Sequence, residues 1–169
     1  MKYLLFNIFT VVSLAFAMKA PLISVADAYD FRLFSNKPIG GDESLLKSSQ
    51  GFHIAAVTVF SIATVLGALA LAPSDGMAVR ENMKSAQGAV SLVGASLHAC
   101  AVGTLLTFIV NLKNKVDRLP VPTDPDTWNV HLRSGGYSEI ISFVLALASG
   151  GLAVQAIISA RRRASYSQI

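Results

Sequence analysis

The chain has 169 residues, of which 53% are hydrophobic and only 14% charged, with a mean hydropathy of +0.54. Such a composition excludes an ordinary soluble domain, whose surface needs charge to face water, and makes lipid the natural solvent. The net charge of +4 does not point to nucleic acid, because the basic excess sits at Arg161, Arg162 and Arg163, directly after an apolar run. Basic residues beside a span are retained on the cytoplasmic side, so this triplet is a candidate cytoplasmic anchor.

The pattern predicts an all-α membrane protein: a four-helix transmembrane bundle with short ectodomain loops, forming a single domain over residues 1–169. The first span is expected over about residues 3–25, kinked at Lys19 and Pro21. Its short basic start, apolar run and Ala15-Phe16-Ala17 also fit a cleavable secretory signal; a retained helix is the preferred reading. A polar loop follows over residues 26–50, in which Ser44 to Ser49 can form one short helix. Gly51 to Ala72 is an uncharged run long enough to cross a bilayer, closed by Pro73-Ser74-Asp75-Gly76. The connector 73–84 suits a turn between antiparallel neighbours. The third span is expected over 85–112, followed by a loop over 113–136 whose proline- and acid-rich stretch from Leu119 to Trp128 favours extended backbone. The fourth span, 137–160, leads to a cytoplasmic tail over 161–169. With four spans both termini face the cytoplasm; cleavage of the first would leave three, with the C-terminus still inside.

Helices in lipid associate through close packing of small side chains. The candidates here are Ala63 with Gly67 in the second span, the ladder Ser91, Ala95, Ala99 and Gly103 in the third, and Ala146 with Gly150 in the fourth. Their preferred role is packing within one bundle, a dimer face being the alternative.

Two polar residues are expected at membrane depth. His98 lies near the middle of the third span, where a charge is costly and a neutral imidazole still needs a hydrogen-bond partner. It is read either as a histidine bonded to a neighbouring helix or as a proton or ion relay. Gln155 is expected to bridge two helices, contact with a substrate being the alternative. Asn111 and Glu139 fall close enough to the span ends to be wetted. Cys100, the one cysteine, has no intrachain disulfide partner and is assigned to packing.

A zinc or copper site would need His53, His98, His131 or Cys100 to converge, and their positions at the edge of one span, the centre of another and in a loop oppose this. Asp117, Asp124 and Asp126 are expected to be solvated. No metal and no cofactor are therefore expected, and no catalytic residue: no serine, histidine and acid constellation or phosphate-binding glycine loop is present in the sequence. Trp128, Tyr29, Phe31 and Phe34 suit interfacial anchors, with a contact surface as the alternative. In the tail, Arg162-Arg163-Ala164-Ser165 fits a basic-directed kinase site and Tyr166-Ser167-Gln168-Ile169 a tyrosine-based sorting signal, both short patterns.

The layout of one span, a loop, three further spans and a short basic tail resembles the claudin-like tetraspan proteins. Pro21, Phe31-Arg32, Lys47-Ser48-Ser49-Gln50-Gly51-Phe52 running into the second span, and Gly135-Gly136-Tyr137 opening the fourth are similar to the amastins, surface proteins of kinetoplastid parasites. Where those families carry a tryptophan and a cysteine pair in the first loop, this chain has Phe31, Leu33 and Phe34. The resemblance implies a cell-surface tetraspan with a role in host contact or membrane homeostasis, and no catalytic residue.

The functional expectation is a non-enzymatic multi-pass membrane protein with a structural or interaction role. Its partners are membrane lipid and other transmembrane proteins or a second copy of itself, not nucleic acid. The plasma membrane is favoured, with an organellar membrane as the alternative. The other functional readings are an accessory subunit of a larger membrane complex and a small transporter or channel component using His98.

Overall fold

The computed structural model describes residues 2–25, 29–34, 43–72, 76–116 and 130–166. These form four helices, α1 (Lys2–Lys19), α2 (Glu43–Leu71), α3 (Met77–Val116) and α4 (Ser134–Tyr166), with three short strands, β1 (Ile23–Val25), β2 (Tyr29–Phe31) and β3 (Val130–Leu132). Helices α2, α3 and α4 are each long and apolar enough to cross a membrane; α1 is apolar but shorter. Outward-facing Phe9, Val12, Ile62, Val65, Val93, Leu106, Val110, Val144 and Leu147 remain exposed. A helical surface this apolar is at home in lipid, where the helix satisfies its own backbone.

The first span ends earlier than expected. Helix α1 stops at Lys19, and residues 23–25 form β1 instead of continuing it. Pro21 offers no backbone donor and biases the residue before it away from helix, while Ile23 and Val25 suit a strand. β1 is the centre of a sheet ordered β2-β1-β3, antiparallel on both sides, pairing Ile23 with Phe31 and with Leu132. The second loop thus contributes a strand that the proline-rich pattern did not suggest. The extended stretch around Leu119 to Trp128, with Asp117, Asp124 and Asp126, lies outside the described residues.

Two connections are also shorter than expected. Ser44 to Ser49 is helical, but as the first turns of α2, and α3 begins at Met77, inside the expected 73–84 connector. At the other end α4 continues through Arg161, Arg162 and Arg163 to Tyr166, so most of the expected tail is helix.

The sheet sits over one end of the bundle. Leu22, Ile23, Phe31 and Leu33 form an apolar layer with Leu105, Phe108 and Leu112 of α3, and Phe31 stacks on Phe108 with ring centroids 5.4 Å apart. The start of α4 is pressed against the chain leaving α1: Gly135 N donates to Pro21 O at 2.9 Å, and Arg133 N to Leu22 O at 3.0 Å. A Cβ on Gly135 would lie 2.8 Å from the Ala20 and Pro21 carbonyl oxygens, and one on Gly136 2.5 Å from Leu22 O. The Gly135-Gly136 pair is required by this backbone approach. Gln50 Nε2 donates to Leu33 O at 2.6 Å and closes the other side of the head.

Candidate functional site

Below this apolar layer the interior turns polar. The buried row of α2 reads Ser49, His53, Ala56, Phe60, Ala63, Gly67 and Ala70, the three-and-four spacing of one helix face. On α3 the row is Ser91, Ala95, His98, Ala101, Leu105, Phe108 and Leu112; on α4 it is Glu139, Ser142, Ala146, Ser149 and Ala153. Where the three rows meet, His53, His98 and Glu139 come together, the two histidines 0% exposed and the glutamate 6%. Phe60, Ala95 and Ala146 form the next layer down, joined by Val11 of α1. The cluster is therefore held between two apolar layers.

Its hydrogen bonds fix much of its protonation. His53 Nδ1 lies 2.7 Å from Ser49 O, an acceptor only, so this nitrogen carries a hydrogen. The Ser49 hydroxyl donates to Ala101 O at 3.1 Å and is not free to supply the proton instead. His53 Nε2, on the other side of the ring, faces Glu139 Oε1 at 2.8 Å. In a neutral ring with hydrogen on Nδ1, Nε2 is a lone pair, and two acceptors this close need a cation between them. His98 Nε2 reaches the same oxygen at 2.9 Å and has the Ser142 hydroxyl at 3.4 Å. Ser142 itself donates to Glu139 O at 2.8 Å. His98 Nδ1 and Glu139 Oε2 are buried without a hydrogen-bond partner. The rings of His53 and His98 meet edge-on with centroids 5.9 Å apart, and Phe143 closes the far side of His98 at the same separation.

A second polar cluster lies deeper. Asn7 of α1 donates from Nδ2 to Ser91 Oγ at 3.0 Å, and its Oδ1 accepts from Ser149 Oγ at 2.8 Å and lies 3.3 Å from Ser91 Oγ. This neutral group joins α1, α3 and α4.

The sequence-based site residues fare unevenly. His98 does bond a neighbouring helix, and its partner is Glu139, which is buried rather than wetted because α4 begins at Ser134 and carries it under the sheet. His53 and His98 do converge, against expectation, because helices of different lengths bring the edge of one to the level of the middle of another; exposed His131 and Cys100 stay apart from them. Gln155 is exposed and bridges no pair of helices among the described residues, since two positions beyond buried Ala153 a side chain has turned about 200° away. Of the α3 ladder, Ser91 and Ala95 are buried but Ala99 and Gly103 are exposed. Each four-residue step overshoots a full turn by about 40°, so a strict i+4 ladder drifts off the contact face. Gly67 packs on the Gln87 side chain, and Ala146 and Gly150 are buried, with a Cβ on Gly150 falling 3.2 Å from that of Ala95. The signal for Glu139 was present: it stands three and seven residues before Ser142 and Ala146, on the same helical face.

Three helices long and apolar enough to span a bilayer, closed over a buried polar cluster, define a helical membrane protein. Comparison with protein-family models, curated proteins and solved structures gives no match.

Proposed function

We propose that the chain is a non-enzymatic four-span protein with a structural or interaction role, its head lying outside the cytoplasm and serving as the contact surface. One observation carries this reading: β1, after the first helix, pairs with β3, before the last, so two loops far apart in sequence become one unit. A rigid head held by backbone pairing presents a fixed surface to a partner at little ordering cost. The packing of α1 against α4 and α2, with Asn7 bonded to Ser91 of α3 and Asn7, Thr10, Leu14 and Ala17 fully buried, supports a fourth span. The amastin-like resemblance favours the plasma membrane. The partner is another membrane protein or a second copy of the chain, in a setting of membrane lipid.

Topology and interaction are tested together in a Cys100→Ser background. A membrane-impermeant thiol reagent on intact cells is expected to label Arg32→Cys and His131→Cys and to leave Ser167→Cys unlabelled. After gentle extraction the chain is expected in an assembly larger than its own 17.9 kDa. Labelling of the tail contradicts the topology, and a monomer alone contradicts the interaction role.

A second reading, a small transporter or channel component, draws on the contact of His98 with Glu139 inside the bundle. It requires ion flux in vesicles that His98→Gln abolishes; unchanged flux removes it.

A further inference from the structure

We infer that His53, His98 and Glu139 form a binding site for one divalent transition-metal ion of the zinc class, held by the two Nε2 atoms and the Glu139 carboxylate. The site goes beyond the interaction role and does not depend on what the head contacts.

Three observations converge. The ligand atoms of these residues lie within 4.8 Å of one another, and they are the only such trio of ligating side chains among the described residues. Two imidazoles and a carboxylate match the ligand preference of zinc, cobalt, nickel and copper, whereas a magnesium or calcium site takes oxygens. Next, His53 has the outer contact of a metal-bound histidine: its Nδ1–H donates to Ser49 O at 2.7 Å, which turns Nε2 inward toward the carboxylate. Finally, the cluster is short of partners. Glu139 Oε2 has none, and the 2.8 Å contact of His53 Nε2 with Glu139 Oε1 is held by a shared proton that a metal ion can replace. A metal ion between His53 and the carboxylate takes the place of that proton and coordinates both.

The fit needs a small movement. Zinc binds nitrogen and oxygen at about 2.0–2.2 Å, which sets neighbouring ligands of a tetrahedron roughly 3.3 Å apart. The two Nε2-to-Oε1 distances of 2.8 and 2.9 Å must therefore open by about half an ångström, which rotation of the Glu139 side chain supplies. His98 moves its hydrogen from Nε2 to Nδ1 to free the ligating lone pair, and Nδ1 has no competing contact. The proton shared by His53 and Glu139 leaves as the metal enters. The Ser142 hydroxyl, 3.4 Å from His98 Nε2, is placed to approach the fourth position. Because the ligands come from α2, α3 and α4, the ion ties three helices together beneath the sheet.

The test uses the full chain purified in detergent with Cys100→Ser, so that no thiol competes, and Co²⁺ as the probe. One Co²⁺ per chain is expected, with the visible absorption of a low-coordinate ion, displaced by Zn²⁺. His131→Gln leaves this unchanged; His53→Gln, His98→Gln and Glu139→Gln each weaken binding at least 10-fold. Absence of Co²⁺ uptake by the wild-type site, or uptake equal in the Glu139→Gln chain, overturns the assignment. Should the ligand variants fail to fold, X-ray absorption of the Zn²⁺-loaded parent chain decides: two imidazole nitrogens and a carboxylate oxygen support the site, and a shell of solvent oxygens alone overturns it.

Discussion

The bundle holds two buried polar clusters that differ in kind. Around Asn7 every group is neutral, and amide and hydroxyls answer one another across α1, α3 and α4. Around Glu139 stand two imidazoles and a carboxylate, two nitrogens crowd one carboxylate oxygen, and two buried atoms have no partner. A self-contained network needs nothing more and holds helices together, whereas one that is incomplete has room for a cation. Burial alone does not separate them, since Asn7, His53 and His98 are all fully buried; hydrogen-bond saturation does.

The sharpest break in this comparison is Glu139→Leu, which removes the carboxylate that both histidines contact and is expected to cost about 3 kcal/mol, the scale of an uncompensated buried partner. Replacing all three residues by leucine is expected to recover most of that loss, because no polar group then remains unpaired. Thermal unfolding in detergent checks both. Next in size is Gly136→Ala, whose Cβ would fall 2.5 Å from a backbone oxygen that cannot move aside cheaply. About 1–3 kcal/mol is expected to be lost, with faster proteolysis at the head. Asn7→Leu is expected to cost only about 1 kcal/mol, since Ser91 and Ser149 then turn to backbone carbonyls of their own helices. Smallest are Gly103→Ala and Gln155→Ala, both on exposed faces, each expected to stay within about 0.5 kcal/mol.

The membrane character was legible from hydropathy, and so were the cores of the three long helices, because uncharged apolar runs of that length are rare outside membrane spans. The head was not. β1 and β3 are three residues each, too short for a periodic signal, and their pairing joins residues 23 and 132. The cluster was half legible. His98 was singled out as a residue needing a partner, but that partner follows from helix stagger, which depends on loop lengths and on the early start of α4. Glu139 lies near the span end by distance along the chain but on the buried face by helical spacing with Ser142 and Ala146, and the face decides its burial.

Metal-dependent thermal stability compares the two clusters most directly, with the parent chain, Asn7→Leu and Glu139→Gln melted with and without Zn²⁺, all carrying Cys100→Ser. A ligand bound only by the folded state stabilises it by about 2.7 kcal/mol at a hundred times its Kd. Zn²⁺ is expected to raise the melting temperature of the parent and of Asn7→Leu by similar amounts and that of Glu139→Gln by about half as much or less. An equal rise in all three chains, or in none, would contradict a metal site at Glu139.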